Sequence, residues 1–287
     1  MSKITNADGL PAIELTEDQK YIFDTRGWLS IPAVLSESDI TEMRDFAYQM
    51  AREPESVPES ERSSVGGPLQ RLLDHPIVVG FMNEFVAYNS LASEDGYGFR
   101  CEGSFLTLRP WGPGNKTFRP HGGSGVFNFP GNHHTYHALP GKANSGLTRV
   151  VWELNPIVKV DGGTLFLSGS HKATFNRPLS TDDEDSPLWD SYECPAGSVL
   201  FFSEATTHAG VVWKTEERER CAIFNCYNTI GSKWHAWEPP EAVVDAMPSK
   251  RQSLFRPVHC DRNVVGPSDK VNPGNAFFPR REPKPVG

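Results

Sequence analysis

Long apolar runs are missing from this 287-residue chain, and none approaches the roughly 20 residues that a membrane-spanning helix requires. The opening Met1-Ser2-Lys3-Ile4 has no apolar signal core behind it. Basic residues are in deficit as well, with 28 Lys and Arg against 36 Asp and Glu and a formal charge of -8. A nucleic-acid polymer wants a basic face and is therefore not an expected partner, whereas one local Arg cluster is enough to hold a small anion. Cysteine is sparse: five residues, none in a Cys-x-x-Cys pair, which argues against a zinc site or a disulfide framework and for a reduced cytoplasmic setting. Helix–strand alternation is absent too, and that disfavours a parallel α/β sheet. The expectation is a soluble cytoplasmic protein without membrane contact, its oligomeric state left open.

Glycine and proline, by contrast, are plentiful at 25 and 24 residues, and with 38% hydrophobic content they fit a loop-rich globular chain. The length suits one domain over residues 1–287, with a mostly helical N-terminal layer at 1–95, a β core at 96–230 and a C-terminal extension at 231–287. Thr16-Glu17-Asp18-Gln19 reads as a capping box opening a short helix that Gly27 stops, and Trp28 to Pro32 reads as a strand. Ser36 caps a second helix, along which Ile40, Met43, Phe46, Ala47 and Met50 recur at helical spacing. Glu53 to Gly67 has no period and is expected to be a mobile surface loop, followed by helical content from Leu69 to Val86 interrupted near Pro76. From Gly98 onward the chain reads as short strands between Gly and Pro turns, the last strand running from Arg220 to Asn228. This predicts a mainly β fold with flanking helices, a double-stranded β-helix (jelly roll, cupin-like). A short helix from Pro239 to Met247 and an irregular Pro/Arg-rich tail end the chain.

The chemistry concentrates in Arg119-Pro120-His121-Gly122-Gly123-Ser124-Gly125 and, far downstream, in Thr206-Thr207-His208-Ala209-Gly210. Two neutral imidazoles on facing strands make half of a mononuclear iron site. The carboxylate that usually stands two residues after the first histidine is absent, and Gly123 occupies its place. Order and spacing of His121, Trp152, Asp161-Gly162-Gly163-Thr164-Leu165, Ser168-Gly169-Ser170-His171-Lys172, Pro195-Ala196-Gly197-Ser198, His208 and Arg220 resemble the phytanoyl-CoA dioxygenase-like branch of the iron(II)/2-oxoglutarate oxygenases over roughly residues 70–230. The resemblance implies that His121 and His208 bind iron(II), and that Arg220 makes a two-pronged pair with the distal carboxylate of 2-oxoglutarate. Arg218 is the fallback for that role, and Trp152 matches a position beside the co-substrate.

Loss of the carboxylate removes one negative charge and frees one coordination position, which a chloride ion can fill. Glycine leaves the most room for it. His-x-Gly is similar to the pattern of the iron/2-oxoglutarate halogenases, in which O2 drives hydrogen-atom abstraction from an sp3 carbon and chloride rebinds to the carbon radical. The resemblance extends to halogenases that act on nucleotides in nucleoside-antibiotic biosynthesis, with a deoxyadenylate as the specific substrate expectation. Two other readings stay open beside it. A hydroxylase would result if water fills the position or if a carboxylate comes from elsewhere, with Glu102, Glu153 and Glu204 as candidates, Glu204 first. A metal-free binding protein of the same fold is the reading from another class.

Further residues carry weaker expectations. Arg71, Arg100 and Arg109 lie on elements that the family places near the cavity and are candidates for an anionic substrate group. His134 and His137, in the His133-His134-Thr135-Tyr136-His137 run, are candidates for substrate contacts from a loop rather than a second metal site. His171 sits in a turn, where a structural hydrogen bond is the default.

Overall fold

The computed structural model describes residues 4–112, 118–122 and 135–259. Helix α1 (Glu17–Arg26) opens on the expected capping box: Thr16 Oγ1 accepts from the Gln19 N–H at 3.2 Å, and the Gln19 side chain accepts from the Thr16 N–H at 2.9 Å. It closes on Gly27 at φ 80°, a left-handed conformation that only glycine adopts without strain. Strand β1 (Trp28–Ile31) follows at once, then α2 (Glu37–Arg52), capped by Ser36. The next segment is an irregular surface loop, as expected, but with buried anchors. It makes a 3-10 turn at Pro54–Ser56, buries Val57 and Val65, and is pinned by two hydrogen bonds from Arg62 to the Val57 carbonyl. A second 3-10 turn (Gly67–Leu72) leads to α3 (Pro76–Phe85), whose proline sits in the first turn, where its missing N–H costs nothing.

The strands are β2 (Phe99–Arg109), β3 (Tyr136–Leu139), β4 (Lys142–Ser145), β5 (Thr148–Glu153), β6 (Gly163–Phe166), β7 (Ser198–Ser203), β8 (His208–Val211) and β9 (Arg220–Thr229). All described pairings are antiparallel. One sheet runs β1-β7-β5-β9-β2, a second pairs β6 with β8, and β3 and β4 form a separate hairpin that was not expected from the sequence. The N-terminal layer thus supplies an edge strand as well as helices. The architecture is mainly antiparallel β with flanking helices, the jelly roll.

Because side chains alternate along a strand, the large sheet has two buried faces. The outer face carries Val150, Trp152, Val199, Phe201 and Ile223 and packs under the helices, with Phe81 stacked on Phe201 at 4.1 Å. The inner face carries Val151, Leu200, Phe202, Ala222 and Phe224 and meets Phe166 and Trp213. Trp28 stacks on Phe166 at 5.0 Å and so bridges the two sheets. Helices α4 (Glu241–Asp245) and α5 (Ser249–Gln252) complete the described chain, the first shorter than expected. Arg251 on α5 is buried and bonded to Asp74, Gln70 and Asp8, tying the extension to the N-terminal layer. The Pro/Arg-rich tail lies outside the described residues. No helix among those residues is long and apolar enough to cross a membrane.

Candidate metal centre and its surroundings

His121 and His208 face each other across an isolated antiparallel bridge. The His121 N–H donates to the His208 carbonyl at 3.0 Å, and the His208 N–H to the His121 carbonyl at 2.8 Å. Residue 121 therefore extends the small sheet beyond β8, and the two rings lie 4.2 Å apart between centroids. Each ring is oriented in the same way. Nδ1 of His121 lies 2.9 Å from the Arg119 carbonyl, and Nδ1 of His208 lies 2.8 Å from the Thr206 carbonyl. A carbonyl can only accept, so Nδ1 carries a proton, and the neutral tautomer compatible with this contact has its bare lone pair on Nε2. Burial, aided by the neighbouring His121 and opposed by Glu204, pushes the His208 imidazole down to about 4, so it is neutral near pH 7. Two imidazoles oriented alike through Nδ1, with Nε2 left as the ligating atom, suit a divalent transition metal.

Two glycines make this approach feasible. A Cβ on Gly122, at φ 73°, would stand 2.6 Å from the Thr206 carbonyl oxygen and 2.7 Å from that of Glu204. A Cβ on Gly27 would collide with Thr206 Oγ1, and that hydroxyl donates to the Gly27 carbonyl at 3.0 Å. The turn after α1 thus holds the turn before β8, and with it His208.

Glu204 is the one carboxylate within 4.0 Å of either histidine among the described residues, its Oε2 being 3.8 Å from His208 Nε2. Its other oxygen accepts from Arg149 Nε. Arg149 reaches His235 Nε2 at 3.5 Å, and His235 Nδ1 lies 2.8 Å from Glu102. Glu102 also accepts from the Trp234 N–H and from Asn228. Burial pushes its carboxyl up, but these donors outweigh burial and hold it below its ordinary value. Glu102 is therefore committed to the loop at 234–235 rather than to the histidine pair. Arg149, which links the two carboxylates, gave no signal in the sequence beyond being a charge on the inner face of an apolar strand.

At the far end of β8 lies a second polar group. Arg220 donates to Glu153 through Nη2 at 2.5 Å and Nε at 3.3 Å, and also to the Tyr192 hydroxyl at 2.9 Å; that hydroxyl donates to Glu153 at 2.6 Å. Arg109 stands opposite Arg220 in the β2–β9 register and donates to the Val211 carbonyl at 2.8 Å. Burial, then repulsion from Arg220, pushes the Arg109 guanidinium down to about 10. Arg109, Glu153 and Arg220 are all on the inner face with His208. Glu153 is paired with arginine and is not beside the histidines.

Other expectations fare differently. Trp152 lies on the outer face, edge-on to His75 at 5.2 Å; its neighbours Val151 and Glu153 are the residues of β5 that face inward, so Trp152 does not share a face with His208. Arg71 is spent on Asp39 and Glu42 in the helical layer and is not near the histidines. Arg218 falls before β9 and bonds Asp161, which removes it as a fallback for Arg220. Arg100 is buried at the opposite end of β2 from Arg109, donating to the Arg256 carbonyl at 3.0 Å. His137 is an exposed residue of the β3–β4 hairpin. His171 is structural as expected, Nε2 lying 2.9 Å from the Asp24 carbonyl. Gly123, His133 and His134 lie outside the described residues.

No family model matches the chain, and no curated protein matches it. Among solved structures it is similar to HygX from Streptomyces hygroscopicus with nickel, 2-oxoglutarate and hygromycin B bound, at 22% identity and a TM-score of 0.58 over 77% of this chain and 90% of that one. It is also similar to SnoK, a non-heme alpha ketoglutarate dependent carbocyclase from nogalamycin biosynthesis, at 18% identity and a TM-score of 0.53 over 86% and 94% of the two chains. The epimerase SnoN in complex with Fe3+, alpha ketoglutarate and nogalamycin RO matches at 15% identity and a TM-score of 0.52 over 78% and 90%. At these identities the similarity establishes the fold.

Proposed function

We propose that the chain is an iron(II)/2-oxoglutarate-dependent oxidoreductase acting on a small, freely diffusing molecule. The observation that carries this reading is the pair of opposed imidazoles, each held by a carbonyl on Nδ1 so that Nε2 is free to bind metal. Arg220 lies at the other end of the same inner face, where it would receive the distal carboxylate of 2-oxoglutarate. Its Glu153 and Tyr192 partners fix the guanidinium plane in advance. The fold shared with proteins that bind nickel or iron with 2-oxoglutarate supports the same class. When bound, the metal with 2-oxoglutarate and O2 supplies the oxidising power; the chain aims the substrate C–H bond and keeps water out.

Within that class we favour halogenation of an sp3 carbon. Support comes from the sequence: His121 is followed at the second position by Gly123, which brings no charge and leaves room for chloride. The engagement of Glu204 with Arg149 is consistent with this, since it draws that carboxylate away from the metal. A nucleotide such as a deoxyadenylate is the specific substrate we favour, on the resemblance of the sequence to halogenases that act on nucleotides. The observation favouring hydroxylation instead is the 3.8 Å approach of Glu204 to His208 Nε2, short enough for a small swing to deliver a carboxylate ligand.

The test begins anaerobically, with iron(II) and 2-oxoglutarate added to the protein and the charge-transfer absorbance recorded. A band is expected, and its absence would favour the binding-protein reading. O2 is then admitted with candidate nucleotides and either chloride or bromide. A product carrying the added halide supports the proposal; succinate with an oxygenated product and no halide dependence would make the enzyme a hydroxylase.

A further inference from the structure

Two guanidiniums and one carboxylate are buried together at the inner end of the jelly roll. Arg220 is 1% exposed, Arg109 8% and Glu153 0%. The fourth polar member, Tyr192, is a neutral phenol, raised far above its ordinary value by burial. Glu153 engages Arg220 through two guanidinium nitrogens, and Tyr192 completes that arrangement. Arg109 has a single hydrogen bond, to the Val211 carbonyl, and no carboxylate partner among the described residues. Glu153 attracts both guanidiniums, but one carboxylate cannot neutralise two, so the group holds one more cation than anion, an arrangement that is costly unless an anion joins it.

The position restricts what that anion is. Arg109 meets β8 at Val211, three residues beyond His208 on the same strand. At about 3.3 Å per residue, that is about 10 Å along β8 from the histidine pair. With a metal held by His121 and His208, a five-carbon 2-oxo diacid would be long enough to span such a gap. We infer that Arg109 is a second carboxylate-binding residue, and that it and Arg220 together receive the distal carboxylate of the co-substrate while Glu153 and Tyr192 hold the Arg220 fork. The inference rests on the 2-oxoglutarate reading above and adds to it: Arg220 is already shared with Glu153, so Arg109 supplies the unshared charge. The site is thereby selective for diacids over 2-oxo monoacids.

The experiment measures anaerobic binding, not turnover. Iron(II)-loaded wild type, Arg109→Met and Arg109→Lys are titrated with 2-oxoglutarate and, at millimolar levels, with 2-oxovalerate, which lacks the distal carboxylate. Binding is read from the charge-transfer band, and thermal unfolding is recorded without co-substrate. Arg109→Met is expected to weaken 2-oxoglutarate by about 10- to 100-fold, the range for losing a charge-assisted contact, with Arg109→Lys recovering part of it. Binding of 2-oxovalerate and the midpoint of unfolding stay close to wild type. Unchanged 2-oxoglutarate affinity in Arg109→Met overturns the inference, as does an equal loss for both acids, which would make Arg109 a support for β8 only. Absence of a 2-oxoglutarate band in wild type would instead overturn the functional reading, and this inference with it.

Discussion

Glu204 stands between a cation and an imidazole nitrogen: one carboxylate oxygen is on the Arg149 guanidinium and the other is 3.8 Å from Nε2 of His208. Under the proposed function, which neighbour holds it decides between halogenation and hydroxylation. With the carboxylate kept by Arg149, Glu204→Gln should leave iron(II) affinity within about 10-fold of wild type, the lower end of losses seen when a neighbour of a ligand is changed. His208→Ala should abolish iron binding. Isothermal titration of the metal-free protein under argon measures both, and a loss for Glu204→Gln as complete as that for His208→Ala would make Glu204 a ligand.

Gly123→Asp restores the carboxylate at the position where the fold family usually carries it. The expected outcome is loss of halide incorporation with some oxygenated product gained, read by mass spectrometry of reactions run in bromide. Retained halogenation in this variant would place the halide elsewhere.

Gly122, next to His121, has no room for a side chain against the backbone that leads into β8. At φ 73°, with a Cβ reaching 2.6 Å from the Thr206 carbonyl oxygen, alanine must both strain the backbone and part the two chain segments. The left-handed conformation alone costs about 1–2 kcal/mol for a residue with a Cβ, and relief means moving His121 away from His208. Gly122→Ala should weaken iron binding while leaving the far-end arginines undisturbed, so that the two histidines lose their register before the fold is lost. Circular dichroism melting beside metal titration separates these effects.

Much of this arrangement is legible in the chain. The capping box at Thr16, the stop at Gly27 and the strand of Arg220 are local signals, set by backbone hydrogen bonding and by alternation. The spacing of His121, His208 and Arg220 needs only the resemblance. What local patterns cannot carry is the direction of a face. Alternation in β5 says that Val151 and Glu153 share a side and Trp152 does not, but the inward side is fixed by β7 and β9, which come later in the chain. The same limit hides Arg149, whose partner Glu204 lies 55 residues away, and misplaces Arg71, whose acidic partners sit on α2. In the surface segment from Glu53 to Gly67, charged residues hide Val57 and Val65, two isolated anchors with no period to reveal them.

Stability should fall in mild acid for a reason unrelated to the metal. His171 is 3% exposed, its Nε2 on the Asp24 carbonyl and its Nδ1 buried without a partner. Burial, against a raising effect of the Asp24 contact, pushes its imidazole from 6.5 down to about 4. Between those values the unfolded chain takes up the proton first, so the unfolded state is favoured progressively as pH drops through this window; above about 6.5 this residue contributes no pH dependence. The shift corresponds to at most about 3 kcal/mol. Urea unfolding of the metal-free protein at a series of pH values should show the decline, and His171→Gln, which has nothing to titrate, should flatten part of it. His75, also pushed by burial to about 4, accounts for a further share, so a residual slope is expected in that variant. An unchanged slope in His171→Gln would mean that His171 is already protonated in the folded protein, and that the turn after β6 opens to solvent in acid.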